Sequence, residues 1–150
     1  MATIKSAVQS ITTITPGALP TLVSANYCIS GIINHATNQP LDVLIDVAVT
    51  TTNTVSGNKQ VVIFAKGSID GTNFGSGPES GTSTADEPNL HYVGSVPVNT
   101  QSVSERKLFS LAAAFGGTLP VASKLVFKND LGATLTAATV QVAEVWGVAV

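Results

Sequence analysis

Apolar and polar residues alternate along several stretches of this chain, as they do in β-strands that bury one face. The clearest stretch is Leu41–Val49, in which five aliphatic residues share one face and two aspartates lie on the other. The aliphatic residues are Leu41, Val43, Ile45, Val47 and Val49, and the aspartates are Asp42 and Asp46. Burying each aliphatic side chain contributes roughly 1.5–3 kcal/mol. The pattern predicts a half-buried strand in the middle of a sheet.

A different pattern marks Gln60–Ile69, which is a nearly continuous run of apolar and β-branched residues. Such a run is typical of a strand buried on both faces. Asp70-Gly71 follows as a tight-turn signal, because both residues tolerate positive φ. The polar tract Gly71–Asn89 then separates this strand from the next candidate, Leu90–Val98. Structureless tracts of that length are uncommon in compact domains, so we predict a sandwich that presents a long polar loop outward.

The rest of the chain supplies further strand candidates and one helical turn. Gly116-Gly117 is expected to end the helical turn, which spans Leu111–Phe115. In the candidate Leu90–Val98, alternation places Leu90, Tyr92, Val96 and Val98 on one face of the strand. In the candidate Val140–Val150, it places Val142, Trp146, Val148 and Val150 on one face. The other strand candidates are residues 2–15, Leu22–Ile33, Val103–Ser110, Val121–Lys128 and Val140–Val150.

About eight strands separated by turn signals predict an all-β fold, a single β-sandwich. Local patterns do not distinguish a jelly roll from an Ig-like order of strands, and both stay open. Pro16-Gly17 breaks the first strand candidate. We therefore divide the chain into residues 1–20, an N-terminal arm or edge strand, and residues 21–150, the β-sandwich domain.

Charge is scarce in this sequence. Charged residues make up 11% of the chain, against roughly 25% in an ordinary soluble protein. The mean hydropathy is +0.35, yet no apolar run approaches the roughly 18 residues of a membrane helix. A surface of Thr, Ser, Asn, Ala and Val is poorly protected against association. We expect other chains to cover much of it, with a plain neutral β-domain as the alternative.

The distribution of charge argues against nucleic acid and membrane partners. The net charge is −2, and the seven basic residues are scattered, with Arg106-Lys107 the longest basic run. Nucleic-acid binding requires a basic patch or stripe, and anionic membranes attract polybasic clusters. We predict neither kind of partner.

Metal-binding and cofactor-binding patterns are not evident either. His35 and His91 have no Cys or His partner at ligand spacing. Asp86-Glu87 lacks the ladder of alternating acidic residues that marks a calcium loop, and we interpret it as a solvated acidic pair. Cys28 is the single cysteine, which excludes an intrachain disulfide and is typical of a small buried hydrophobic residue. We predict no metal and no cofactor.

Catalytic patterns are equally weak. No Gly-x-Ser-x-Gly nucleophile motif occurs, although a chance grouping of Ser and His stays open. Asp42 and Asp46 lie about 13 Å apart along one strand, too far for the carboxylate pair of a glycosidase. We predict no catalytic residue and a protein that is not an enzyme.

The aromatic residues admit two interpretations. Tyr27, Tyr92 and Trp146 lie on predicted strands, where core packing is expected and a sugar-binding platform is the alternative. Phe74 follows the Asp-Gly turn and is expected to be exposed. It would then either anchor a contact with another protein or fold back onto its own sandwich.

Five short segments carry a resemblance to known proteins. They are Gly67–Phe74 (GSIDGTNF), Val93–Val98 (VGSVPV), Phe109–Pro120 (FSLAAAFGGTLP), Leu125–Gly132 (LVFKNDLG) and a closing strand near Trp146-Gly147. Their order resembles small β-sandwich virion proteins of tailed bacteriophages, of the kind that decorate or cement the capsid. The resemblance covers about residues 60–147.

That resemblance implies a structural protein on the capsid surface of a virion. Its partner would be the assembled phage major capsid protein, and it would bind as a homo-oligomer, with a trimer favoured. Residues 1–20 would help binding as an arm that pairs with a neighbour's sheet edge. The N-terminus lacks the apolar core of a secretory signal, so assembly is expected in the host cytoplasm. A tail or baseplate component and a carbohydrate-binding surface module are the alternatives.

Overall fold

The computed structural model describes residues 3–82 and 87–149. Ten strands in this part of the chain form two antiparallel sheets. The strands are β1 (Ile4–Val8), β2 (Thr12–Thr13), β3 (Tyr27–Ile29), β4 (Ile33–Asn34), β5 (Asp42–Thr50), β6 (Gln60–Ser68), β7 (His91–Pro97), β8 (Glu105–Ser110), β9 (Ala122–Asp130) and β10 (Ala137–Ala149). One α-helical turn, α1 (Leu111–Ala114), and two 3₁₀ helices, Leu19–Thr21 and Glu87–Asn89, complete the described elements.

The order of the strands identifies a jelly roll. Sheet A has the order β1-β10-β5-β8, with β2 also paired to β10, and sheet B has the order β3-β9-β6-β7, with β4 also paired to β9. Apart from the two-residue strands β2 and β4, eight strands remain. Of these eight, the first lies beside the last, the second beside the seventh, the third beside the sixth and the fourth beside the fifth. This nested pairing is the wrapped double Greek key of a jelly roll. The predicted all-β sandwich is confirmed, and the Ig-like order is excluded.

The main core lies between the two sheets. Side chains at alternate positions of β5, β6 and β9 fill it, and Ile45, Ile63 and Phe127 are fully buried there. The predicted face of β5 is confirmed from Val43 onward. Leu41 departs from it, because the strand begins only at Asp42. Leu41 is exposed, and its Cδ1 atom lies 3.5 Å from the position that a Cβ at Gly147 would occupy.

A β-bulge changes the face of β7. The pairing of β6 with β7 shifts between Ile63 and Phe64, which leaves Val93 as an extra residue. Val93 therefore packs against the main core, and Tyr92 stands on the outer face, where its ring centroid lies 6.0 Å from that of Phe64. The prediction that Tyr92 shares a face with Val96 is wrong for this reason.

The N-terminal segment forms an edge of sheet A within its own chain. Ile4–Val8 pairs antiparallel with β10, from Ile4 opposite Ala149 to Val8 opposite Val145. The predicted strand Leu22–Ile33 begins only at Tyr27, after Ala25 with its φ of 64°, and residues 30–32 interrupt it between β3 and β4.

The helical turn is held by a side-chain cap. Ser110 Oγ accepts a hydrogen bond from the Ala113 N–H (3.1 Å). Asp42 adds two contacts, because its carboxylate accepts hydrogen bonds from Ser110 Oγ (2.7 Å) and from the Ala112 N–H (2.8 Å). Gly116 follows with a φ of 77°. The predicted short helix is confirmed, with Phe115 as its C-terminal cap residue.

Candidate interaction surface

The outer face of sheet A carries large apolar side chains that the described part of the chain leaves uncovered. Leu108 is 60% exposed and Ile4 is 72% exposed. Strand pairing places Leu44 beside Ala143, and Asp46 beside both Leu108 and Gln141, so these side chains stand on the same side of the sheet. The members of this surface, called the apolar face below, are Ile4, Val8, Ile11, Leu41, Leu44, Leu108 and Val145.

A shallow groove runs through the apolar face. Its volume is about 160 Å³, and Val8, Ile11, Leu44 and Leu108 are four of its eight lining residues. Antiparallel sheets usually expose a polar face to water. An apolar outer face with a groove is typical of a surface that contacts another protein.

Two charged side chains border the groove. Arg106 Nε lies 3.6 Å from Asp46 Oδ2, and the Arg106 side chain is mostly exposed. An exposed pair of this kind contributes at most about 1 kcal/mol to stability. Because the two charges are of opposite sign, the pair adds little net charge to the apolar face.

Sheet B differs, because the described parts of the long loop, residues 71–82 and 87–89, cover its outer face. Next to β3, the Tyr27 N–H donates to Thr82 O (3.0 Å), and the Gly81 N–H donates to Tyr27 O (2.8 Å). Ser80 Oγ also accepts a hydrogen bond from the Ile29 N–H (2.9 Å). The prediction that the loop is presented outward is therefore wrong for its described parts, 71–82 and 87–89, which lie back on sheet B.

A second apolar cluster lies on this covered face. Tyr27, Val62, Phe64 and Val126 are buried there, and Ile29 and Leu90 pack against them. The run Gln60–Ile69 predicted that Val62 and Phe64 are buried, but not that the loop after that run covers them.

One glutamate fastens the loop over this cluster. Glu87 accepts a hydrogen bond from the Tyr27 hydroxyl, and its Oε1 atom lies 2.7 Å from Lys128 Nζ. Burial raises the pKa of Tyr27, and the bond to Glu87 raises it further. For Glu87, burial acts to raise the pKa, but the bonds from Lys128 and Tyr27 prevail and hold that pKa below its usual value.

The Asp-Gly turn is built around the Asp70 carboxylate. Its Oδ1 atom accepts hydrogen bonds from the Asn73 N–H (2.7 Å), the Thr72 N–H (2.8 Å) and Ser68 Oγ (2.8 Å). These bonds, that of the Asn73 backbone foremost, hold the pKa of Asp70 well below its usual range. Beyond the turn, Phe74 is half-buried, and Lys124 Nζ lies 4.6 Å from its ring centroid. Phe74 thus folds back onto its own sandwich.

The structure brings one histidine and one serine together. His35 Nε2 lies 2.8 Å from Ser123 Oγ, and both residues are buried. Burial lowers the pKa of His35, an effect that the charge of Glu144 partly opposes. His35 Nδ1 has no hydrogen-bond partner among the described residues. Because Ser123 is fully buried, its hydroxyl is out of reach of a substrate, and the pair is a packing contact.

The remaining chemical candidates lie apart from one another. The His91 ring stacks near Phe115, with 4.6 Å between centroids. Cys28 is buried in the main core, as predicted, and burial raises the pKa of its thiol. Asp86 lies outside the described residues. Within residues 3–82 and 87–149, no three metal-binding side chains come together, and no helix is long and apolar enough to cross a membrane.

Sequence reasoning missed the apolar face, although two signals pointed to it. Leu44 and Ala48 interrupt the aspartate side of β5, and Leu108 stands next to Phe109 in β8, so each strand has apolar residues on both sides. Comparisons with known proteins add no assignment. The sequence matches no protein-family model and has no significant similarity to a curated protein.

Proposed function

We propose that this chain is a non-enzymatic virion protein of a tailed bacteriophage, a capsid decoration protein whose apolar face docks on the assembled major capsid protein. The observation that carries the proposal is the contrast between two outer faces of one sandwich. The described part of the loop covers sheet B, whereas the described residues leave Leu108 and Val8 on sheet A exposed.

The size of the apolar face favours contacts that are weak singly and strong together. Four strands spaced about 4.8 Å apart, over about five residues each, span an area of about 300 Å². A standard stable interface buries about 800 Å² on each partner. One protomer would therefore bind weakly through this face alone. A capsid offers many identical sites, and an oligomer that engages several of them gains affinity through effective concentration.

The fold and the resemblance support the same proposal. Jelly rolls are common among viral capsid and lectin domains, although a fold alone does not assign a function. The resembling segments fall at the end of β6 and in the turn after it, in β7, at the end of β8 and in the helical turn, in β9, and in β10. As an extension of the proposal, three protomers would surround a symmetry axis of the capsid lattice.

Residues 1–20 would contribute to docking through side chains that belong to the apolar face. The backbone of β1 is paired with β10 of the same chain. Ile4, Val8 and Ile11 nevertheless contribute three members of the apolar face. The N-terminal segment would therefore contact the capsid as part of a sheet surface, and the pairing of a free arm with a neighbour's sheet edge is not needed.

Immunogold labelling locates the protein in its source. An antibody against the purified chain, coupled to gold, is applied to gradient-purified particles from the same lysate. Regular labelling over heads is the expected result. Label confined to tails would favour the tail or baseplate alternative, and a protein that stays at the top of the gradient with no labelled particle would overturn the virion proposal.

Matched variants then test the surface. Leu108 and Tyr92 are almost equally exposed, at 60% and 59%, but lie on opposite sheets. We expect Leu108→Glu to lower the number of copies on particles at least tenfold, because it places a charge in the apolar contact. Tyr92→Glu should leave the copy number unchanged. Equal loss with both variants, or no loss with either, would contradict docking through the apolar face.

A further inference from the structure

A second concave surface lies at one end of the sandwich, between β10 of sheet A and β4 of sheet B. It is a groove of about 450 Å³, within the size range of small-molecule sites. Its floor reaches the core residues Val43 and Val142, and Trp146 lies at its side. The other lining residues are Gln9, Ser10, Thr12, Ile14, Ile32, Ile33, Asn34, Asn38 and Glu144.

The indole of Trp146 is held in place by its neighbours. Trp146 and Glu144 are two residues apart on β10 and therefore stand on the same face. Trp146 Nε1 donates a hydrogen bond to Glu144 Oε2 (2.7 Å), and Asn38 Nδ2 donates to the same oxygen (2.9 Å). Trp146 is 37% exposed. A fixed, partly exposed aromatic ring costs little entropy when a ligand packs on it.

Polar groups with unused hydrogen-bonding capacity surround this ring. Among the described residues, Glu144 Oε1, Asn38 Oδ1 and Gln9 Oε1 make no hydrogen bond. Asn34 accepts two backbone hydrogen bonds through Oδ1, and its Nδ2 donors are unused. The groove thus offers both acceptors and donors around one aromatic platform.

We infer that this groove binds a neutral saccharide. Sugar rings present C–H groups that pack on an aromatic face, and hydroxyls that both donate and accept hydrogen bonds, as the surrounding amides and carboxylate require. An anionic ligand is disfavoured, because the lining contains Glu144 and no Lys or Arg. A purely apolar ligand is disfavoured too, because it would leave the amides desolvated without partners.

This site is separate from the apolar face. Val142 lines both grooves, but none of the seven members of the apolar face lines this one. A protomer docked through Val8 and Leu108 would keep the groove residues out of that contact. The two proposals are therefore tested by different variants, and either can fail while the other stands.

The test uses the only tryptophan of the chain as its reporter. Because Trp146 is the single Trp, intrinsic tryptophan emission reports on this groove alone. The purified chain is titrated with maltotriose, cellotriose and chitotriose. We expect a saturable change in emission with at least one of them, together with saturation-transfer NMR signals from the same sugar.

Variants assign the binding to the groove. Trp146→Ala should abolish the saturation-transfer signals, and Glu144→Ala should weaken binding about tenfold or more, since hydrogen bonds to charged groups contribute about 1.5–3 kcal/mol. Asn38→Ala, which lies in an exposed turn, is a second variant that preserves the fold and should also weaken binding. Tyr92→Ala, which removes the other exposed strand aromatic, should bind as the wild type does.

Three outcomes would overturn the inference. The first is the absence of both a saturable emission change and saturation transfer with all three sugars. The second is unchanged sugar binding by folded Trp146→Ala and Asn38→Ala. The third is a saturable emission change with trimethyl-lysine and none with the sugars, which would identify the groove as a site for cations held by Glu144 and the indole ring.

Discussion

The outer faces of the two sheets both carry apolar side chains and differ in what covers them. On sheet B, Val62, Phe64 and Val126 face outward and are buried beneath the long loop. On sheet A, Leu108 and Val8 face outward and are exposed. Apolar residues on an outer sheet face thus do not by themselves mark a binding surface. They do so where the chain provides no cover of its own, and this comparison supports the assignment of the apolar face.

Polar contacts hold the loop on the outer face of sheet B. Glu87 bonds Tyr27 and Lys128, and Lys66 Nζ, itself buried, lies 3.4 Å from Oε1 of the exposed Glu79. Ion pairs of this kind set the position of a loop more than they stabilise it. The apolar face carries only the pair Arg106–Asp46 among its described neighbours, which leaves it open to a partner that supplies apolar surface.

The largest expected effect is on the free energy of unfolding, and it should differ between a buried and an exposed outward-facing residue. Phe64→Ala should lower the free energy of unfolding by about 3–5 kcal/mol, as for other buried Phe residues. Leu108→Ala should change it by no more than about 0.5 kcal/mol. Urea denaturation of the two variants measures both values. Comparable losses would mean that the two faces are equally covered in the isolated protein.

Removing the fastening of the loop should have a smaller effect. Glu87→Ala leaves the buried Tyr27 hydroxyl without its acceptor and Lys128 without its ion pair, at a cost of about 1–3 kcal/mol. It should also expose the second cluster, so that binding of the dye ANS increases. Glu105→Ala is the control, because Glu105 lies in β8 of sheet A, away from the loop. If both variants bind ANS as the wild type does, Glu87 does not hold the cover.

Acid should loosen the same cover. The pKa of Glu87 lies below its unfolded value, so its stabilising contribution is present above the ordinary Glu pKa, about 4.3, and is lost as the pH falls through the folded value. We expect the difference in melting temperature between wild type and Glu87→Gln to shrink from pH 7 towards pH 3. A difference that is constant over this range would contradict a role for the charge.

The smallest effect on stability concerns the apolar face itself. Leu108→Glu should leave the unfolding free energy within about 0.5 kcal/mol of the wild type while reducing self-association at high concentration. Sedimentation velocity over a concentration series measures that association, with Tyr92→Glu as the equally exposed control on sheet B. Equal reduction by both variants would indicate a general effect of charge and would remove the distinction between the faces.

Single strands and the helical turn were predictable from short-range patterns in the sequence. Alternation predicted β5, the strand candidate Val121–Lys128 overlaps β9, and Gly116 marked the end of the helical turn. The jelly-roll order was not predictable, since it depends on pairings such as Ile4 with Ala149 at opposite ends of the chain. The bulge at Val93 reversed the face of Tyr92, because one extra residue shifts a two-residue period.

The candidate site could be predicted only in part. Low charge content predicted that the surface would be covered, without saying which surface. The cover of sheet B depends on contacts between Glu87 and residues 41 and 60 positions away, Lys128 and Tyr27, that no local pattern encodes. The groove was not predicted, because Trp146 was expected to pack in the core, and because Asn38, which bonds Glu144 beside it, lies in a turn 106 positions away in sequence.

Electron cryomicroscopy of purified particles tests the central claim most directly. If this chain decorates the capsid, density for the jelly roll should lie on the head with the outer face of sheet A, marked by Leu108 and Val8, against the shell and the loop-covered face of sheet B away from it. Density that turns sheet B to the shell, or particles whose heads carry no jelly roll of this chain, would contradict the account.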